Sequence, residues 1–285
     1  MTTNLGSLLA QGAQHLQTSP RADAASAALD AELLLAYTLG TSRGRLLVHA
    51  DQIPEPAVVG RYRALLERRA SGEPLAYITG WREFWSQDLA VTPDVLVPRP
   101  ETELLVERAL QLWPAAAGSA ADLGTGSGAI ALALASERPH WQVLATDVSA
   151  AALAVAVANA ERLGLARIEF RHGSWFEPLA QRRFDLLLSN PPYVAADDPA
   201  MESAALAHEP RLALTPGADA LSCLRTLAHG APQHLATGGW LLLEHGATQG
   251  AQVRHELVLA GFRYVRSHRD LAGCERITEG QHDQI

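Results

Sequence analysis

The chain has 285 residues, 48% of them hydrophobic and 19% charged, a formal net charge of −8 and a pI near 5.7. That is enough apolar side chain for one large core or two smaller ones, and the acidic balance argues against a tight, nonspecific grip on nucleic-acid phosphates. All basic residues are arginines; the two cysteines, Cys223 and Cys274, stand at no metal or redox spacing.

The opening, MTTNLGSLLAQG, has no basic n-region and no long apolar run, and no apolar stretch is unbroken over the length of a bilayer span. The expectation is a cytoplasmic protein in a reducing compartment, with no membrane partner. Residues 1 to about 80 read as helical. Asp30 to Tyr37 carries apolar residues at helical spacing, with Gly40 as its stop, and Val58 to Arg69 puts Tyr62, Leu65 and Leu66 on one side. Arg61, Arg63, Arg68 and Arg69 read as a solvated face of that helix, or as a docking surface for an acidic partner. Residues 81–98 change character: aromatics, alternation and Pro93-Asp94 suggest a β-hairpin linker. Pro98-Arg99-Pro100-Glu101-Thr102-Glu103 then opens a helix to about Trp113, its acidic residues suiting the positive end of a helix dipole or serving in a lid over a ligand.

From residue 119 strands and helices alternate, which argues for a largely parallel sheet covered on both faces. Strands are expected near 119–123, 142–147, 167–171, 184–189, 239–244, 262–267 and 274–278, and helices near 129–137, 149–163, 218–236 and 248–260. The stretch 194–217 reads as a long irregular loop, a length that is often functional.

Two stretches carry chemistry. Gly124-Thr125-Gly126-Ser127-Gly128 follows the first of these strands and opens a helix, and Asp147 ends the next strand. Glycines let a backbone turn tightly and approach a ligand, and an acidic residue at that distance accepts ribose hydroxyls. The pair says "adenosine cofactor", which fits NAD as well as S-adenosylmethionine. Ser189-Asn190-Pro191-Pro192-Tyr193 decides between them. It follows the apolar strand Phe184 to Leu188, and its prolines make a stiff loop with free carbonyls. The Asn190 side chain and the Pro191 carbonyl can both accept from one –NH₂ group, and Tyr193 offers a flat face. Asn-Pro-Pro-aromatic arises by chance in a chain of this length on the order of 10⁻³ of the time. A clamp for –NH₂ suits methyl transfer to nitrogen, whereas hydride transfer has no use for it.

At these residues the chain resembles a class I S-adenosylmethionine-dependent methyltransferase. Arg68-Arg69…Gly72-Glu73-Pro74, Glu83-Phe84-Trp85, Pro98 to Glu103, Leu243-Glu244-His245-Gly246 and Arg269-Asp270…Glu275-Arg276 narrow the resemblance to the PrmC/HemK family of release factor glutamine N5-methyltransferases. The resemblance implies a Rossmann-like α/β methyltransferase domain over 99–285, joined by a β-hairpin linker, 81–98, to a small helical substrate-docking domain, 1–80. It implies methylation of the glutamine in the Gly-Gly-Gln motif of peptide chain release factors, by a monomer that touches no nucleic acid directly. The donor, S-adenosylmethionine, maps onto Gly124, Thr125, Gly126, Ser127, Gly128, Asp147, Trp175 and Asn190. The substrate clamp maps onto Asn190, Pro191, Pro192 and Tyr193, of which Asn190, Pro191 and Tyr193 are assigned to catalysis. One position departs: family members often carry an acidic residue before the tryptophan, and here Ser174 stands there.

No catalytic base and no metal are expected. An amide nitrogen cannot be deprotonated in advance by an ordinary side chain at neutral pH, and the eleven histidines form no metal-ligand spacing. Two other readings use the same residues: a nucleic-acid methyltransferase acting on adenine N6 or guanine N2, with Tyr193 stacked on the base, and a noncatalytic adenosine-binding scaffold.

Overall fold

The computed structural model describes residues 4–283. They form two compact units. The first holds the residues up to Trp81 together with Pro199–His208, and the second holds the rest of the described chain.

The first unit is built on five helices: α1 (Leu5–Thr18), α2 (Ala27–Leu39), α3 (Arg43–Val48), α4 (Pro56–Ala70) and α5 (Leu75–Thr79). Asn4 caps α1 by accepting the Ser7 amide, and Gly40 ends α2 in the left-handed conformation expected of a helix stop. Leu8, Leu16, Leu34, Leu35, Leu46 and Tyr62 are buried together. Burial of each leucine contributes roughly 1.5–3 kcal/mol. Gly12 lets α1 cross closely over α4, since a Cβ there would stand 2.1 Å from the Tyr62 hydroxyl. That hydroxyl donates to the Ala31 carbonyl at 3.2 Å.

The second unit begins at Arg82, within a hairpin of β1 (Trp81–Phe84) and β2 (Gln87–Ala90) that is followed by α6 (Glu103–Leu112). The alternating part follows: β3 (Gly118–Leu123), α7 (Ala129–Glu137), β4 (Trp141–Asp147), α8 (Ala150–Arg162), β5 (Glu169–His172) and β6 (Phe184–Ser189). After them come α9 (Arg211–Leu214), α10 (Ser222–Gly230), β7 (Leu235–Glu244), α11 (Gly250–Leu259), β8 (Arg263–Arg269) and β9 (Glu275–Gln281). Seven strands form one sheet in the order β5-β4-β3-β6-β7-β9-β8. The pairs from β5 to β7 are parallel; β9 runs antiparallel to both β7 and β8. Apolar layers cover both faces. One gathers α7 with Leu186, Leu188 and Leu242, and the other gathers Leu187, Leu241 and Leu243 with Leu224, Leu227, Val253 and Leu257. A parallel sheet covered on both sides needs strands apolar on both sides, and the Leu186–Leu188 and Leu241–Leu243 runs supply them.

Two expected elements differ. The helix expected over 218–236 starts only at Ser222 and gives way after Gly230 to a 3₁₀ turn over Ala231–His234, where Pro232 cannot continue the helical ladder. The stretch 194–217 is irregular as expected, but it is divided. Pro199–His208 belongs to the first unit, where Ala204 packs on Gly72 so closely that a Cβ on the glycine would come within 2.6 Å. Glu209 onward belongs to the second unit.

Strand order positions the site. From β3 the chain moves outward to β4 and β5, then returns to lay β6 on the other side of β3. The carboxyl ends of β3 and β6 are therefore neighbours, with Asp122 opposite Leu188. Open α/β sheets bind ligands at such a reversal, because the two outgoing loops part there and leave a crevice. Among the described residues, no helix is long and apolar enough to cross a membrane.

Candidate active site

The loop after β3 is shaped by hydrogen bonds to the end of β4. The Gly124 and Thr125 amides both donate to the Thr146 carbonyl at 2.9 Å. The Gly126 amide donates to Asp147 Oδ2 at 2.9 Å, and the Ser149 amide to Asp147 Oδ1 at 2.8 Å. Gly126 has φ +55°, and a Cβ there would meet nothing within 4 Å, so the backbone lies bare toward open space. Gly128 is a glycine for another reason: a Cβ would stand 3.0 Å from Leu132 Cδ1 and 3.2 Å from Ala156 Cβ, where α7 and α8 meet. Beneath the loop, Asp122 accepts from Thr125 Oγ1 at 2.6 Å and from the Ala131 amide at 3.2 Å. Burial pushes its carboxyl up to about 7, against the pull of those two donors.

The loop after β6 is fixed from several sides. Ser189 Oγ donates to the Leu123 carbonyl at 2.6 Å, tying the ends of β6 and β3 together. Asn190 Nδ2 donates to Thr102 Oγ1 at 3.1 Å, and Thr102 Oγ1 donates to Glu244 Oε2 at 2.6 Å. The Tyr193 hydroxyl donates to Glu244 Oε1 at 3.3 Å, and the Tyr193 carbonyl accepts from Gln249 Nε2 at 3.0 Å. The phenol is held in its neutral form, chiefly by burial and then by the Glu244 carboxyl.

Both loops wall one cavity of about 410 Å³. Gly124, Thr125, Gly126, Ser127, Asp147, Trp175, Asn190, Pro191 and Pro192 line it; of the residues assigned from sequence, Gly128 and Tyr193 are not part of the lining. Gly128 caps the start of α7 and faces Leu132 and Ala156 instead. Tyr193 is half-buried against the second apolar layer. Trp175 has φ +43°, and its ring lies over Gly124, 3.5 Å from where a Cβ would be. Ser174 also lines the cavity; its amide donates to Glu177 Oε2 at 3.2 Å, so an acidic side chain does stand near this turn, three residues later than the family pattern has it. Pro98, Arg99 and Thr102 complete one side, so the Pro98–Glu103 stretch both starts α6 and walls the cavity.

These features fit S-adenosylmethionine. The volume lies within the range of small-molecule sites. The bare Gly126 backbone admits close approach, and the Asp147 carboxylate stands in the wall with lone pairs to spare. Among the described residues no three His, Cys, Asp or Glu side chains are grouped to hold a metal ion. His245, at the end of β7, is buried, with Nε2 on Thr278 Oγ1 at 2.8 Å and Nδ1 on the Gly246 carbonyl at 3.0 Å; burial lowers its pKa.

Sequence reading missed four supporting residues. Glu209, buried in the divided loop, accepts the Val97 amide at 3.1 Å and pairs with Arg99, fixing the 209–216 wall, from which Leu212, Ala213, Thr215 and Pro216 reach the cavity. Asn159 on α8 accepts the Ala90 amide at 2.7 Å and donates to the carbonyls of Ala90 and Ser127 at 2.9 and 3.0 Å. An asparagine inside the apolar run Ala150 to Ala160 was the available signal. Thr102 and Glu244 sit inside quoted motifs, but the bond between them joins residues 142 positions apart.

Comparison with known proteins gives the family. Residues 7–80 match a PrmC N-terminal domain and residues 100–218 a methyltransferase small domain. The chain is 51% identical over 254 residues to a release factor glutamine methyltransferase of Xylella fastidiosa strain Temecula1, covering 89% of this chain and 92% of that one. It is 43% identical over 283 residues to that of Vibrio cholerae, covering 99% and 98%. Among solved structures, a methyltransferase from Pyrococcus furiosus superposes with a TM-score of 0.51 at 19% identity, covering 69% of this chain and 89% of that one, a likeness of fold alone.

Proposed function

Since the chain belongs to the release factor glutamine methyltransferases, we propose that it transfers a methyl group from S-adenosylmethionine to the side-chain amide N5 of the glutamine in the Gly-Gly-Gln motif of peptide chain release factors. The observation that carries this reading is that the bare Gly126 backbone and Asp147 share one cavity with Asn190, Pro191 and Pro192. It acts in the cytoplasm, as a monomer.

Bound in the cavity, S-adenosylmethionine supplies a methyl group on a positively charged sulfur, already activated for displacement. The protein's own task is to place a poor nucleophile. The lone pair of an amide nitrogen is delocalised, so attack needs a nitrogen held in line and turned out of conjugation. Asn190 Oδ1 and the Pro191 carbonyl accept its two N–H groups and favour the positive charge that develops there. The proton leaves to solvent after transfer, when the nitrogen is far more acidic. Asp147 and the Gly124–Gly128 backbone hold the donor, and Trp175 covers it. The nucleic-acid reading shares this clamp, but the family and the acidic chain favour a protein substrate.

The test is incubation of the purified protein with labelled methyl donor and intact release factors, followed by mass spectrometry of the labelled residue. Label on the Gly-Gly-Gln glutamine is expected. Label on RNA or DNA alone, or on no substrate despite donor binding, overturns the proposal.

A further inference from the structure

The Asn190 amide has two ends of opposite hydrogen-bonding sense, and the clamp works with one of them only. Turned the other way, it would present donors to an –NH₂ group that needs acceptors. We propose that Glu244, acting through Thr102, is a positioning residue that sets the rotation of the Asn190 amide so that Oδ1 is left for the nitrogen to be methylated. The inference rests on the glutamine-methylation reading above.

The geometry carries it by proton counting. Thr102 has one hydroxyl proton, and it is committed to Glu244 Oε2 at 2.6 Å. What Thr102 offers Asn190 at 3.1 Å is therefore a lone pair, and of the two ends of the amide only Nδ2 can bind one. Little solvent competes for these bonds, since Glu244 is 1% exposed and Thr102 4%. The second carboxylate oxygen accepts from Tyr193, so one buried group orients two residues of the Asn-Pro-Pro-Tyr loop. Three leucines precede Glu244 on β7, all fully buried. A fourth apolar side chain would satisfy packing there, and burying a carboxyl instead is costly.

The sense of the relay depends on Glu244 being ionised. With a proton or an amide at this position, residue 244 could donate to Thr102 Oγ1, Thr102 could donate to Asn190 Oδ1, and the clamp would be reversed. Burial pushes the Glu244 carboxyl up to about 7. Thr102 and Tyr193 oppose this by donating to it, Glu101 ahead of α6 adds to it, and Arg276 on β9 pulls against it. The ionised form that the relay requires is gained as pH rises through about 7.

The test uses the full-length protein and the variants Thr102→Ser, Thr102→Val and Glu244→Gln. With an intact release factor as substrate, Thr102→Ser is expected to keep kcat within about twofold. Thr102→Val and Glu244→Gln should lower it about 10- to 100-fold, the scale of a misplaced reacting group. Donor affinity by calorimetry should stay unchanged in all three. Wild-type kcat should rise through pH 7, and the rise should be absent in Glu244→Gln. Normal kcat in Thr102→Val or Glu244→Gln, equal loss in Thr102→Ser and Thr102→Val, or donor affinity falling in step with kcat would each overturn the proposal. Neutron diffraction of wild-type crystals above pH 8 tests the rotation without any substrate. Amide deuterons of Asn190 directed at Thr102 are expected, and an amide oxygen there refutes the relay even if the protein proves to methylate release factors.

Discussion

Asp147 receives the Gly126 amide on one carboxylate oxygen at 2.9 Å and the Ser149 amide on the other at 2.8 Å. The side chain read from sequence as a ribose acceptor thus shapes the loop that walls the cavity. Asp147→Asn keeps the size but can accept at one end only, so one of the two amides loses its partner. Donor affinity should fall by roughly 1.5–3 kcal/mol, the range for hydrogen bonds to a charged group, and at least as much in Asp147→Ala. Calorimetry with S-adenosylmethionine is the measurement; an unchanged Kd in both variants would remove Asp147 from the donor site.

Asn190→Ala should affect turnover far more than donor binding. Oδ1 is proposed to act on charge that develops only during transfer, so losing it should cost about 10²–10³ in kcat. Steady-state kinetics on an intact release factor, beside donor calorimetry, separates the two effects. Near-normal kcat would end the assignment.

Much of this site was legible because both of its loops are local devices. Glycines at Gly124 and Gly126 announce a backbone in the left-handed region, and Pro191-Pro192 announces a stiff, donor-poor turn; each can be read without knowing what lies opposite. The strand and helix alternation was legible for the same reason. What stayed hidden was non-local or against type. The hairpin turns on Trp85 and Ser86 at φ +52° and +56°, where glycine or asparagine would be usual. Glu103 accepts the Trp85 amide at 2.9 Å and Glu83 the Ser86 amide at 2.6 Å, replacing the glycine signal with two carboxylates. The placing of β9 between β7 and β8 depends on pairing that no local pattern encodes. The same holds for Glu209, which reaches Val97 across 112 positions.

Acid should weaken the antiparallel side of the sheet through Glu279 on β9. Its buried carboxyl would be pushed up by desolvation, but donors from His268, Arg108 and Arg266 outweigh that and hold it at about 2. A carboxyl whose folded pKa lies below its ordinary value of 4.5 stabilises the fold above that pH, and the contribution is lost as pH falls toward about 2. The full effect is on the order of 3 kcal/mol, because a tenfold change in proton affinity on folding corresponds to about 1.4 kcal/mol. Asp122 and Glu244, both raised to about 7, act in the opposite sense: their contribution is present below the ordinary carboxyl range and lost as pH rises through 7. Urea unfolding of wild type and Glu279→Gln should therefore differ most near neutrality and converge toward pH 2. A gap constant over that window would show that Glu279 acts by packing rather than by charge.

The arginines of α4 divide into two kinds, which sharpens the docking expectation. Arg69 is half-buried and donates to Asp30 Oδ2 at 2.7 Å, and Arg68 binds Glu73 through two bonds of 2.8 and 2.5 Å. Arg69 thus leaves the solvated face that the sequence suggested and helps hold the first unit together, whereas Arg68 stays exposed on it with its charge paired to Glu73. Arg61 and Arg63 are exposed. If the first unit docks an acidic surface of the release factor, those two carry the charge for it. Exposed charges chiefly raise the association rate and fix orientation, and salt screens them. Arg61→Glu with Arg63→Glu should lower kcat/KM on an intact release factor about tenfold at low salt and leave kcat at saturation unchanged. The difference from wild type should shrink as salt is raised. A short Gly-Gly-Gln peptide, which lacks the rest of the factor's surface, should be a poor substrate for both proteins and show no difference between them. Arg69→Ala is the contrasting control. It strands the 6%-exposed Asp30 without its partner and should cost stability rather than association rate. Equal kcat/KM for the double variant and wild type at low salt would take the docking charge away from α4.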